Sequence, residues 1–105
     1  MSNANAPGSK LNPMVGEIVR RAILDLMTDI GGEQNDDVLA TLLAELGHRI
    51  ARRDVAAEMR WLADQGLIAI EQLGPFLVGR VLSDGRDVAE GRLAVDGVRR
   101  HKTGE

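Results

Sequence analysis

A chain of 105 residues with a formal net charge of −3 is long enough for one domain with one core and too short for two. Apolar residues make up 44% and charged residues 28%, an ordinary globular balance, while aromatics reach only 2% with no tyrosine, so the core must be aliphatic. The absence of cysteine excludes disulfides, thiolate metal sites and cysteine nucleophiles, and it suits a reducing cytoplasm.

In chain order, residues 1–11 are mostly small and polar and predict a disordered leader. Asn12-Pro13 is a helix start, a capping residue followed by proline at the first helical position. Val15, Ile18, Val19, Ala22, Ile23, Leu26 and Ile30 then recur at helical spacing and predict one buried stripe, ended by Gly31-Gly32. Asn35 predicts the cap of a second helix, with Asp36 and Asp37 at the positive end of its dipole. Val38, Leu39, Leu42, Leu43 and Leu46 predict the inner face of that helix, and Gly47 its stop.

A third helix is predicted over 52–65. Val55, Met59 and Leu62 share an inward arc with Arg52 and Ala63 beside them, while Arg53, Ala57, Arg60 and Asp64 lie opposite. Its capping position is Ala51 or Arg52 rather than Ser or Thr, which weakens the start by ~1 kcal/mol and removes a hydroxyl that could bind phosphate. After Gly66, residues 67–73 and 76–82 flank Gly74-Pro75 and predict a hairpin. Ser83-Asp84 predicts the cap of a last short helix reaching about Gly91, and a loose basic tail is expected over 95–105. Helix, tight turn, helix and hairpin in this order predict an α+β, mainly helical winged helix-turn-helix domain over 12–94. It comprises three helices, a two-stranded hairpin wing and a short C-terminal helix.

Net charge argues against a strongly basic nucleic-acid binder, but the charge is segregated. Residues 31–47 hold four acids and no Lys or Arg, whereas residues 48–60 hold Arg49, Arg52, Arg53 and Arg60 against Asp54 and Glu58. Arg53 and Arg60 stand two helical turns apart on the outward face, the place from which arginine reads guanine O6 and N7 in the major groove. The alternative is a solvated face with Arg60 paired to Asp64 one turn on. Arg49 and Arg52 flank the start of the helix, where such residues contact phosphates, or else serve only capping and solubility. Ala57 is small enough to allow close approach to DNA, as it would be in any good helix. The hairpin tip carries no cation; Arg80, well down the second strand, is the nearest. The basic cluster Arg99-Arg100-His101-Lys102 is a second candidate for tracking phosphates.

Trp61 sits at the edge of the outer arc and is expected to pack against the hairpin or the first helix, with a partner surface as the alternative. His48 and His101 have no ligand constellation around them. No phosphate-binding glycine loop, nucleophile motif or paired-carboxylate motif is present, so the expectation is no enzyme, no metal, no cofactor and no small-molecule substrate. No apolar run nears the roughly 20 residues needed to span a bilayer, and no signal peptide is visible, so no membrane contact is expected.

Ala44-Glu45-Leu46-Gly47-His48 leading into Arg52, then Trp61-Leu62-Ala63-Asp64-Gln65-Gly66-Leu67-Ile68, carry a resemblance that Leu82-Ser83, Gly85, Asp87-Val88-Ala89 and Gly91-Arg92 continue. Over roughly residues 14–100 the chain resembles ArsR-like winged-helix proteins and, more narrowly, a small uncharacterised family encoded in Mu-like bacteriophages and prophages. The resemblance implies binding to double-stranded DNA in the cytoplasm of a bacterial host, and a homodimer formed through the first helix and the C-terminal segment. The cysteine-rich ligands of metal-sensing ArsR proteins are missing, so metal sensing does not carry over.

The leading expectation is a phage or prophage transcriptional regulator with helix 52–65 in the major groove. The alternative is a non-regulatory adaptor that binds a protein partner in phage DNA packaging or assembly. A continuous positive face on the third helix favours DNA; a face interrupted by Glu58, Asp64 and Glu71 favours the adaptor.

Overall fold

The computed structural model describes residues 11–100. Helix α1 (Pro13–Ile30) begins where Asn12-Pro13 predicts, with the Asn12 side chain accepting the Val15 N–H at 2.9 Å. Its inward face is rotated from the predicted stripe. Gly16, Val19, Arg20, Ile23, Leu24 and Met27 are buried, Ile18, Ala22 and Leu26 are half-buried, and Ile30 is exposed. The rotation brings a charged side chain inside, which a count of apolar positions scores as surface.

Strand β1 (Gln34–Asn35) leaves no signal in the sequence, since two residues carry no periodicity. It pairs antiparallel with β3 through Gln34↔Gly79 and Asn35↔Val78, so the expected two-stranded hairpin is part of a three-stranded antiparallel sheet in the order β1-β3-β2. Helix α2 (Asp36–Glu45) has the predicted cap, Asn35 Oδ1 accepting the Val38 N–H at 2.8 Å. Its buried row is narrower than expected. Leu39 and Leu43, one turn apart, are buried, while Val38 and Leu46 are exposed. This short helix meets its neighbours along one row only.

Helix α3 (Arg52–Asp64) starts without a side-chain cap at Ala51 and packs against α1, α2 and the sheet. Strands β2 (Ile68–Leu73) and β3 (Phe76–Val81) form the hairpin, with Leu73 paired to Phe76 across Gly74-Pro75. Ile68, Ile70, Leu77, Gly79 and Val81 share the inner face; Ala69, Glu71, Leu73, Phe76, Val78 and Arg80 share the outer one. At Gly79 a Cβ would lie 3.1 Å from Met59 Cε and 3.2 Å from Met27 Cε, so this position lets two methionines reach the sheet. Helix α4 (Ser83–Ala89) starts at the predicted cap itself, one residue earlier than expected. Ser83 is already helical, and Leu82 stands at the capping position without a side-chain bond.

The expected loose tail is corrected at its root. Val98 is buried, Val95 packs against the core, and the Arg99 N–H donates to the Glu17 carbonyl at 3.2 Å. Two valines around one glycine are too short a pattern to register as a core element, yet they close over α1. Leu11, assigned to the leader, also packs partly against the core. The rest of the leader, and His101 and Lys102, lie outside the described residues.

Among the described residues, four helices and a three-stranded antiparallel sheet form a small α+β fold compatible with a winged-helix arrangement. Among the described residues, no helix is long and apolar enough to cross a membrane.

Candidate nucleic-acid interface

Helix α3 is enclosed on most sides, with Asp54, Val55, Ala56, Ala57, Glu58, Met59 and Leu62 all buried. The residues it leaves exposed are Arg53, Arg60 and Asp64. At 100° per residue these three fall within an arc of about 40°, a narrow charged ridge along the helix. Arg49, in the loop before α3, is exposed as well. Among the described residues, Arg49, Arg53 and Arg60 enter none of the ion pairs, so the alternative Arg60–Asp64 pair is not formed. Ala57 is corrected. It is only 2% exposed, because it lies about 40° from Arg53 toward half-buried Trp61, at the edge where the helix turns into the fold.

Glu58 does not interrupt this ridge. It turns to the opposite side, where Arg20 of α1 donates through Nε to Glu58 Oε1 at 2.6 Å, with both side chains at most 1% exposed. The same guanidinium stacks 4.1 Å from the centre of the Trp61 ring and donates through a terminal nitrogen to the Gly97 carbonyl at 2.9 Å. A charge taken out of water needs this kind of complete pairing, since removing one partner leaves the other uncompensated. Gly97 is fitted tightly here: with φ at +96°, a Cβ would stand 2.6 Å from Trp61 Cζ2. Trp61 therefore packs on the first helix, one of its two expected neighbours. Sequence reasoning passed over Arg20. The available signal was Glu58 itself, three residues after Val55 and four before Leu62 on the buried side of α3.

Arg52 is also drawn inward, away from the phosphate role expected of it. Its Nε lies 3.3 Å from Asp36 Oδ2, a terminal nitrogen donates to the Pro75 carbonyl, and the guanidinium sits 4.8 Å above the Phe76 ring. Buried Asp36 in turn accepts the Leu77 N–H at 3.3 Å and the Asp37 N–H at 3.0 Å through Oδ1. This Arg52–Asp36 junction fastens the hairpin tip to the starts of α2 and α3. Arg80 is exposed on the outer sheet face opposite Ala69, at the far end of β3 from the tip.

A second concave region of about 850 Å³ runs along α1, lined in part by Arg21, Asp25, Asp29, His48, Arg99 and Arg100. Thr28 also lines it, and its buried hydroxyl has no hydrogen-bond partner among the described residues. Arg21 donates to the carbonyls of Val88 at 3.0 Å and Ala89, tying α1 to α4. Among the described residues, no group of three or more His, Cys, Asp or Glu side chains is gathered in a way that could hold a metal ion.

Over 90 residues the chain is 39% identical to "Uncharacterized protein gp26" of Escherichia phage Mu, an alignment that covers 86% of this chain and 94% of that protein. The chain belongs to the family of this Mu phage protein. No family profile matches it, and no solved structure does. In this gp26-family chain, then, Arg53 and Arg60 share one exposed ridge, with Arg49 exposed just ahead of the helix. Ala57 is enclosed, Arg52 is committed to the hairpin, and Arg80 stands on the outer sheet face.

Proposed function

We propose that this gp26-family chain is a winged helix-turn-helix DNA-binding protein, a phage or prophage transcriptional regulator acting in the cytoplasm of the bacterial host. The observation that carries the reading is the composition of the exposed ridge of α3: two arginines that enter no ion pair among the described residues and one aspartate at its end. Unpartnered guanidinium groups on a helix face are suited to base edges in the major groove. The burial of Glu58 against Arg20 removes one of the three carboxylates that would have repelled DNA there. Arg49 supplies a phosphate contact at the helix entrance. The segregated acids of α2 and the net charge of −3 make this footprint local. A homodimer would present two such ridges to two half-sites, with α1 and the C-terminal segment as its contact surface.

Binding to phage genomic fragments across a salt series tests the reading. Affinity falls steeply with salt, and Arg53→Ala with Arg60→Ala abolishes sequence preference. Undetectable binding at low salt, or binding insensitive to salt, rules it out.

Exposed Asp64 at the end of the ridge and exposed Glu71 on the hairpin favour the second reading, an adaptor that binds a protein in phage DNA packaging or assembly. A pull-down from induced cells separates the two. Under the adaptor reading, a stoichiometric protein partner is recovered and survives nuclease treatment.

A further inference from the structure

Asp64 stands where a helix least favours it. The C-terminal end of α3 is the negative pole of the helix dipole and stabilises cations, yet its last turn holds no basic residue and ends on this aspartate. Among the described residues, Asp64 enters none of the ion pairs. It shares one exposed ridge with Arg53 and Arg60, and that ridge is a single file. Residues 54–59 are all buried, so no other side chain of α3 reaches out between the two arginines. At a rise of about 1.5 Å per residue, Arg60 lies about 10 Å beyond Arg53 along the axis and Asp64 about 6 Å beyond Arg60. Just past the ridge, exposed Gly66 has nothing within 4 Å of where a Cβ would stand.

We infer that Asp64 is a specificity-determining residue that selects cytosine, and that the ridge reads a spaced G·C-rich site along one strand. In order, the site is guanine, two unread positions, guanine, one unread position and cytosine. The inference rests on the DNA-binding reading. Bases on one strand are about 3.4 Å apart along the duplex, so the two intervals of the ridge match three steps and two steps. Arginine pairs with guanine O6 and N7, whereas an ionised carboxylate only accepts hydrogen bonds and pairs with the cytosine N4 amino group. Guanine and thymine turn only acceptors toward the major groove, and adenine sets its N7 acceptor beside its donor, so all three meet Asp64 less well. The aspartate side chain is short, so the C-terminal end of α3 lies nearer the groove floor than its start. Gly66, without a side chain, permits that approach, and the raised start stays beside the phosphates with Arg49. Asp64 adds no attraction for the phosphates, so its selection operates only while Arg53 and Arg60 hold the helix in the groove.

The test selects duplexes from a random-sequence pool with the full chain and with variants at exposed Asp64, where substitution leaves the core untouched. The parent enriches both guanines and the cytosine at the stated spacing. Asp64→Ala keeps the two guanines and loses the cytosine, and Asp64→Arg enriches guanine in its place. On one duplex carrying the enriched site, replacing the C·G pair by T·A weakens the parent by at least ~5-fold and the Asp64→Ala variant by less than ~2-fold. A merely structural role for Asp64 would move every position together. An Asp64→Ala pool that keeps the cytosine or loses a guanine overturns the assignment while DNA binding stands. A parent pool without enrichment at this spacing does the same. Absence of binding by the parent chain at low salt overturns the DNA reading and the assignment with it.

Discussion

The two flanks of α3 carry the same chemistry to opposite ends. On the inner flank, the Arg20 guanidinium is enclosed by Glu58, Trp61 and the Gly97 carbonyl, and every contact is internal. On the outer flank, Arg53 and Arg60 are exposed and enter none of the ion pairs among the described residues. Arginine content does not distinguish these cases; a buried carboxylate facing the guanidinium does. Glu58 commits Arg20 to the architecture, and the Arg52–Asp36 contact does the same for the hairpin. The arginines left over are the ones available to a partner.

Changes on the inner flank should dominate stability. Glu58→Leu alone strands a buried guanidinium and should cost about 3–5 kcal/mol, whereas Arg20→Met with Glu58→Leu should return to within about 1–2 kcal/mol of the parent. Urea melts followed by the fluorescence of Trp61, the chain's single tryptophan, measure both. Equal losses in the single and double variants would show that the pair is not a coupled unit. Next in size is Gly97→Ala, expected to lose about 1–3 kcal/mol because its Cβ meets the indole in a left-handed backbone. The same melts read it, together with a shifted Trp61 emission.

At the hairpin, Arg52→Ala should cost only about 1 kcal/mol, since its side chain is partly solvated. Hydrogen exchange should quicken at residues 73–77 and leave α1 unchanged. The smallest stability effect belongs to the outer flank. Arg53→Ala and Arg60→Ala should each stay within about 0.5 kcal/mol of the parent, so any loss of DNA affinity is a loss of contact rather than of fold.

How much was legible beforehand follows the same division. Asn12 and Asn35 were readable as caps because a side-chain oxygen two or three residues ahead of a helical N–H is a local signal. Gly74-Pro75 was readable as a hairpin turn for a similar reason. The outward placement of Arg53 and Arg60 followed from helical spacing alone. What escaped was non-local. Arg20 and Glu58 are 38 residues apart, and Arg52 reaches Pro75 across 23. Ala57 lies close enough to the outer arc for spacing to place it there, and only the folded chain shows it to be enclosed. Strand β1 exists because β3 offers it an edge, not because Gln34-Asn35 is inherently extended.

The central claim, that the outer flank of α3 reads DNA, is tested most directly by one equilibrium titration. Labelled phage genomic fragments are titrated with the parent chain and with the Arg53→Ala, Arg60→Ala double variant over a series of salt concentrations. The parent is expected to bind preferred fragments with an affinity that falls steeply as salt rises, and the variant, folded and equally stable, to lose the preference. Equal fragment preference in both proteins, or no binding by the parent at low salt, would contradict it.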